Sequence, residues 1–234
     1  MLFPHPSPIQ PMPSWDWGAD EVGRGAYAGP IIIAIAALPP DLPKEIRGLA
    51  RDSKQLSPHQ RANALNALTA HGFFRLGGAS TREIDALGPG RATMLAIERA
   101  FRHLPVVPEH IRMDGTEQPR LPTRVSAHIG GDRDYPAIAA ASIIAKQVRD
   151  ALMGRLDRVT ESTWGFEKNK GYGTAAHTAA LDRHGPSWHH RALFLRSWAE
   201  RPQAKNLQPN HPRPRGARPI ASPEARRLHT LSLF

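Results

Sequence analysis

Hydrophobic and polar positions along the chain follow two periods, and the places where one gives way to the other mark out the elements. "WDWGADEV" and "GPIIIAIAAL" are short apolar runs rich in aromatic and β-branched residues, so strands are expected near 15–22 and 29–37. "SPHQRANALNALTAHG" has helical spacing: Ser57 suits the N-cap, Pro58 the first helical position, Gln60 a capping box, and Gly72 follows the end. Leu65 and Leu68, with Ala62 and Ala64 nearby, offer that helix one buried face. "FFRLGGAS" is expected to be a strand. Residues 90–103 should form a helix stopped by Pro105, with Met94, Leu95, Ile97 and Phe101 suited to burial.

"HIRMDG" and "TRVSAHI" are two further short strands, and "PAIAAASIIAK" opens a third helix running over 136–157. Its residues are nearly all small or apolar, which suits close packing against a sheet. "WGFEKNKGYGT" is expected to be a loop, with Thr174 capping a helix that ends at His184, and a last helix covers 189–199. Strands that alternate with helices predict an α/β domain with helices covering the sheet. The expected division is a flexible Pro-rich lead-in over 1–14, a folded domain over 15–200, and a disordered tail over 201–234.

Charge and composition narrow the partners. The 234 residues carry a net charge of +10, and the sequence pI is near 10.8, a balance that suggests a polyanion. Most of the excess sits in the tail: from Arg201 on there are seven Lys or Arg and one acid, leaving about +4 for the body. The body is thus only mildly basic. There is no cysteine, which removes disulfides, thiolate metal sites and thiol nucleophiles and fits a reducing cytoplasm. The N-terminus has no basic start and is broken by prolines, unlike a signal peptide. The apolar run at 31–38 is far too short to span a bilayer. A cytoplasmic monomer without membrane contact is expected.

Asp20 and Glu21 stand side by side in the first strand, followed by Gly23-Arg24-Gly25. Two adjacent carboxylates are costly to bury unless a cation shares their site. A hard-metal site and a solvated strand end both account for such a pair. Asp114, at the end of an apolar strand, and Asp132, just before the buried helix, favour the metal. Each of those two alone has a simpler structural explanation. Successive strand residues point to opposite faces, so the strand is expected to end or distort here, or Glu21 to use a different face or its backbone oxygen.

"GADEVGRGAYAGP", "RDSKQLSP", "IRMDG", "GGDRDYPAIAAASIIAKQVRD" and "NKGYGT…RHGPSWHHRALF" resemble, in order, the signatures of bacterial ribonuclease HII, a type 2 ribonuclease H. Leu193 and Gly130 depart from that pattern, where Ser and Lys are frequent. The resemblance implies a ribonuclease H-like α/β fold, a mixed central sheet flanked by helices. It implies an endonuclease that cuts the RNA strand of RNA–DNA hybrids and also incises at single ribonucleotides in duplex DNA, leaving 3′-hydroxyl and 5′-phosphate ends.

Asp20, Glu21, Asp114 and Asp132 map onto the family's catalytic metal ligands, for two Mg²⁺ or Mn²⁺ ions. Gly23, Arg24, Gly25 and Tyr172 map onto the parts that recognise the RNA-to-DNA junction. Lys54, Lys146 and Lys170 are candidate phosphate contacts, with Ser53, Ser142 and Arg149 behind them. His184, His189 and His190 fit no zinc spacing and are expected to be structural. The last residues, "TLSLF", are similar to the peptide that replication and repair proteins insert into the bacterial sliding clamp, through Thr230, Leu231, Leu233 and Phe234. The ribonuclease HIII branch and a catalytically silent hybrid- or RNA-binding protein are the alternatives. The short lead-in and the Gly-Arg-Gly turn fit HII better than HIII.

Overall fold

The computed structural model describes residues 11–51 and 57–200, so the expectations for Ser53, Lys54, most of the lead-in and the tail lie outside the described residues. Five strands form one mixed sheet: β1 (Asp16–Val22), β2 (Ile31–Leu38), β3 (Phe73–Ala79), β4 (His110–Asp114) and β5 (Arg124–His128). Their order is β3-β2-β1-β4-β5. The first three make an antiparallel meander, whereas β4 joins β1 in parallel and β5 joins β4 in parallel. The expected mixed sheet flanked by helices is therefore the observed architecture.

Every residue of β2 is buried, because both faces of this strand are covered. Ile32, Ala34, Ala36 and Leu38 face α5 (Pro136–Val159), while Ile31, Ile33 and Ile35 face α4 (Pro89–Arg102). Burial on both sides explains a continuous apolar run where a half-exposed strand would alternate. The small residues of α5 let it lie directly on β1: a Cβ at Gly18 would stand 2.2 Å from the backbone nitrogen of Ile138. No side chain fits there, so the N-terminal turn of α5 is held at a fixed height over the sheet. A third cluster, around Trp164, Phe166, Leu181 and Trp198, supports the C-terminal loops.

Local signals account for the helix bounds. In α2 (Pro58–His71), Ser57 and Gln60 form the expected capping box, and the Gly72 N–H donates to the Leu68 carbonyl. Thr174 caps α7 (Ala175–His184) by accepting from the His177 N–H. Several expectations need correction. In α4 the fully buried face is Ala92, Thr93, Ala96, Ile97 and Ala100, with Met94 and Phe101 only partly covered, because close packing admits small residues and pushes large ones to the flanks. Two helices, α1 (Lys44–Arg51) and α3 (Thr81–Leu87), were not expected. The expected 164–174 loop contains one short helix, α6 (Phe166–Asn169), and the last helix shrinks to α8 (Arg196–Ala199). Contacts of the body begin ahead of residue 15: the Met12 carbonyl accepts from both the Trp15 N–H and the Trp17 indole.

Candidate active site

Asp20 and Glu21 lie on β1, which stays paired to β2 through Val22. The strand therefore neither ends nor distorts at the acidic pair on that side, and normal alternation sends the two carboxylates to opposite faces. Asp20 follows Gly18 onto the α5 face, where the Ser142 hydroxyl donates to it. Its Oδ1 also accepts from the Glu21 N–H at 2.7 Å. Glu21 follows Trp17 and Ala19 onto the α4 face, near Arg24 and Glu117.

The β1–β4 ladder pairs Ala19 with Met113. One residue further along a parallel pair, Asp114 comes beside Asp20. Its Oδ1 accepts from the Gly131 N–H at 2.8 Å, which fixes the Gly131–Arg133 turn to the end of β4. Asp132 is buried in that turn, while Asp134 is exposed, as expected.

This crowding has an electrostatic signature. Asp20 is only 7% exposed. Burial first, then the charges of Glu21 and Asp114, push its pKa up to about 7, against the lowering effect of the Ser142 hydrogen bond. Burial likewise raises Glu21, with Asp114 and Glu117 adding to the shift and Arg24 opposing it. Among the described residues, no group of three His, Asp or Glu side chains is gathered tightly enough to hold one ion. The donor set still fits a hard divalent ion: all its atoms are carboxylate or hydroxyl oxygens, and added positive charge would relieve the strain on Asp20.

Beside the acids, the Gly-Arg-Gly turn is welded to distant segments. Gly23 has φ +87°, and a Cβ there would stand 2.1 Å from Nε of Arg149. Glycine alone satisfies both constraints. Arg149 is fully buried, and its guanidinium donates to the carbonyls of Pro30, Lys170 and Ala28 at 2.8–3.0 Å. It also lies 5.4 Å from the centroid of the Tyr172 ring. A second fully buried arginine, Arg191, donates to the carbonyls of Arg24 and Gly29. Burial and the nearby Arg149 charge lower it to about 9, so it remains a cation at neutral pH. Backbone bonds from Tyr27 and Ala28 to the Gly171 carbonyl complete the joint between the turn and the 170–174 loop. Tyr172 itself is exposed at 39%, and Gly25 is exposed with open space around it.

One sequence expectation changes here. Arg149 cannot contact phosphate, because it is fully buried and bonds three interior carbonyls. Lys146 is ion-paired with Asp150 at 2.9 Å on the same helix, so it is not a free cation, although it remains half-exposed. Lys170 is partly buried in a left-handed backbone conformation. His190 is structural, as expected: it is buried against His177.

Sequence reasoning missed Glu117, Arg191 and His177. Glu117 pairs with Arg24 across the site, and only its position three residues after Asp114 hinted at this. A buried arginine or histidine leaves no periodic mark in a sequence.

The model of the Ribonuclease HII family matches residues 17–200. Ribonuclease HII of Granulibacter bethesdensis is 44% identical over 180 residues, spanning 76% of this chain and 82% of the relative. That of Nitrosospira multiformis is 44% identical over 181 residues, spanning 77% of this chain and 89% of the relative. Among solved structures, ribonuclease HII of Archaeoglobus fulgidus, in complex with PCNA, superposes with a TM-score of 0.59 at 25% identity, covering 71% of this chain and 85% of that one. Ribonuclease H2 of Pyrococcus horikoshii OT3 gives 0.60 at 22% identity, covering 80% and 90%, a likeness of fold. A match that runs from β1 to α8, with sequence relatives of one kind, places the chain in the bacterial ribonuclease HII family, among the endoribonucleases of the ribonuclease H type.

Proposed function

We propose that the chain is a metal-dependent endonuclease that cuts the RNA strand of RNA–DNA hybrids and incises duplex DNA at single embedded ribonucleotides, leaving 3′-hydroxyl and 5′-phosphate ends. The observation that carries this is the buried Asp20, coupled to Glu21 and Asp114 at one end of the sheet, beside a Gly-Arg-Gly turn locked to the Tyr172 loop. Asp20, Glu21, Asp114 and Asp132 would hold two Mg²⁺ or Mn²⁺ ions. Such ions, when bound, activate water and stabilise the departing 3′-oxygen.

The chain's own groups do the rest. Ser142 orients the Asp20 carboxylate, and the Gly131 N–H orients that of Asp114. The turn at Gly23, Arg24 and Gly25 offers backbone groups to a 2′-hydroxyl, the group that separates RNA from DNA. Tyr172 stacks on the sugar that follows. Lys170, Lys146 and Lys54 position the duplex through phosphates, for which Lys146 exchanges Asp150 for the substrate.

Two duplexes test this, one with a single ribonucleotide and one a continuous hybrid. Both should be cut with Mg²⁺ or Mn²⁺ and neither with EDTA. Tyr172→Ala should slow the single-ribonucleotide cut about tenfold or more while sparing the hybrid. Cutting in EDTA, or an intact single-ribonucleotide duplex, refutes the proposal.

Residues 201–234 serve in this proposal as a basic tether whose "TLSLF" end binds a bacterial sliding clamp. In favour, the Archaeoglobus fulgidus relative forms a complex with PCNA. A chain lacking 230–234 should lose clamp retention in a pull-down yet cut free duplex at the normal rate; retention by the shortened chain would end the idea. A cytoplasmic enzyme is in keeping with described helices that are not long and apolar enough to cross a membrane.

A further inference from the structure

Beneath the Tyr172 loop lies a chain of hydrogen bonds that the chemistry above does not use. His177, on α7, is fully buried. Its Nδ1 lies 2.8 Å from the Tyr172 carbonyl oxygen, and its Nε2 lies 3.0 Å from Nε2 of His190. Nδ1 of His190 faces the Ser187 N–H at 3.0 Å and the Ser187 hydroxyl at 2.9 Å. A carbonyl can only accept, and a backbone N–H can only donate. The proton positions therefore have one solution. His177 carries its proton on Nδ1 and donates to Tyr172; His190 carries its proton on Nε2 and donates to His177. Both rings are neutral, and Phe166 and Trp164 pack around the pair.

The consequence is local rigidity at three successive carbonyls. Lys170 is held by Arg149, Gly171 by the Tyr27 and Ala28 N–H groups, and Tyr172 by His177 together with the Thr174 N–H. The exposed Tyr172 ring is thus displayed from a backbone tied at three successive residues. We propose that His177 is a positioning residue for substrate selection: its Nδ1–H, kept in that tautomer by His190, sets the pose of Tyr172 beside the Gly-Arg-Gly turn. This rests on the junction-reading role proposed above for Tyr172. A continuous hybrid offers a 2′-hydroxyl in every register, so a displaced Tyr172 still meets productive ones. A single embedded ribonucleotide offers one register and depends on the pose.

The test uses the full chain and both duplexes with Mn²⁺. His177→Phe keeps an aromatic ring in the apolar box but removes the donor to Tyr172. Its single-ribonucleotide rate should fall about tenfold, with the hybrid rate within about threefold of wild type. In His177→Asn the amide nitrogen takes the place of Nδ1, and most of the selectivity should return. Should His177→Phe fail to fold by circular dichroism, His190→Leu, which removes the group holding the tautomer, should shift the ratio in the same direction. Equal losses on both duplexes, or no recovery in a folded His177→Asn, overturn the inference. A Tyr172→Ala chain whose ratio shifts while that of His177→Phe does not overturns this inference alone. An unchanged ratio in Tyr172→Ala overturns the junction role and this inference with it.

Discussion

Asp20→Asn should abolish cleavage, by about 10³-fold or more, and at the same time make the metal-free protein more stable at pH 8. The first effect follows from removing a charge that the proposed metal site needs. The second follows from the burial of that charge. In the unfolded chain the group titrates near 3.8, and in the folded, metal-free protein at about 7. Between those values the folded state binds more protons than the unfolded one, so stability falls as pH rises through this window. The contribution is fully present below about 4 and fully lost above about 7.

Asn carries no charge to bury, and its oxygen can still accept from the Glu21 N–H and the Ser142 hydroxyl. The variant should therefore gain about 2–4 kcal/mol over wild type at pH 8 in EDTA and almost nothing at pH 4. Urea unfolding at the two pH values measures this. Saturating Mn²⁺ should close the gap, because an ion bound only to the folded wild type stabilises it by mass action. Near-normal cleavage by Asp20→Asn, or equal stability of the two proteins at pH 8, would show that Asp20 is not the charge under strain.

The contrast between Asp20 and the rest of the site shows what a sequence makes legible. Adjacent acids before a Gly-Arg-Gly turn are visible because their types are unusual in a strand. Capping boxes are visible because they are local: Ser57 with Gln60 marks the start of α2 in the sequence. Ser80 with Glu83, which opens the unexpected α3 by the same bonds, carries the same local signal. The parallel joining of β4 to β1 is not written locally anywhere, yet it is what brings Asp114 to Asp20. Likewise, α4 buries alanines rather than its largest residues, because the distance of a helix from a sheet is set by the tightest contact and not by hydropathy. Most hidden of all were the interior cations. Charge along a sequence suggests solvent or phosphate, and only the fold shows whether carbonyls have claimed it.

Arg149 gives that last point a measurable form. A phosphate-binding arginine and a scaffold arginine predict opposite outcomes for Arg149→Met. Loss of a phosphate contact would leave stability unchanged and flatten the salt dependence of duplex binding by about one unit in log–log slope. The structure predicts the reverse. Methionine fills the space of the side-chain stem but leaves the carbonyls of Pro30, Lys170 and Ala28 without their donor. Each unpaired buried carbonyl costs about 1–3 kcal/mol, partly offset because a charge no longer has to be desolvated. The net expectation is a loss of about 3–5 kcal/mol, or roughly 10 °C in Tm for a body of this size, with an unchanged salt slope. Arg149→Lys should recover little, since one ammonium on a flexible stem cannot reproduce a planar fork aimed at three carbonyls. Because Arg149 joins the Gly23 turn to the Tyr172 loop, single-ribonucleotide incision should fall further than hybrid cleavage even below the melting range. A stable Arg149→Met chain with a flattened salt slope would return Arg149 to the surface of the problem and leave the turn without its anchor.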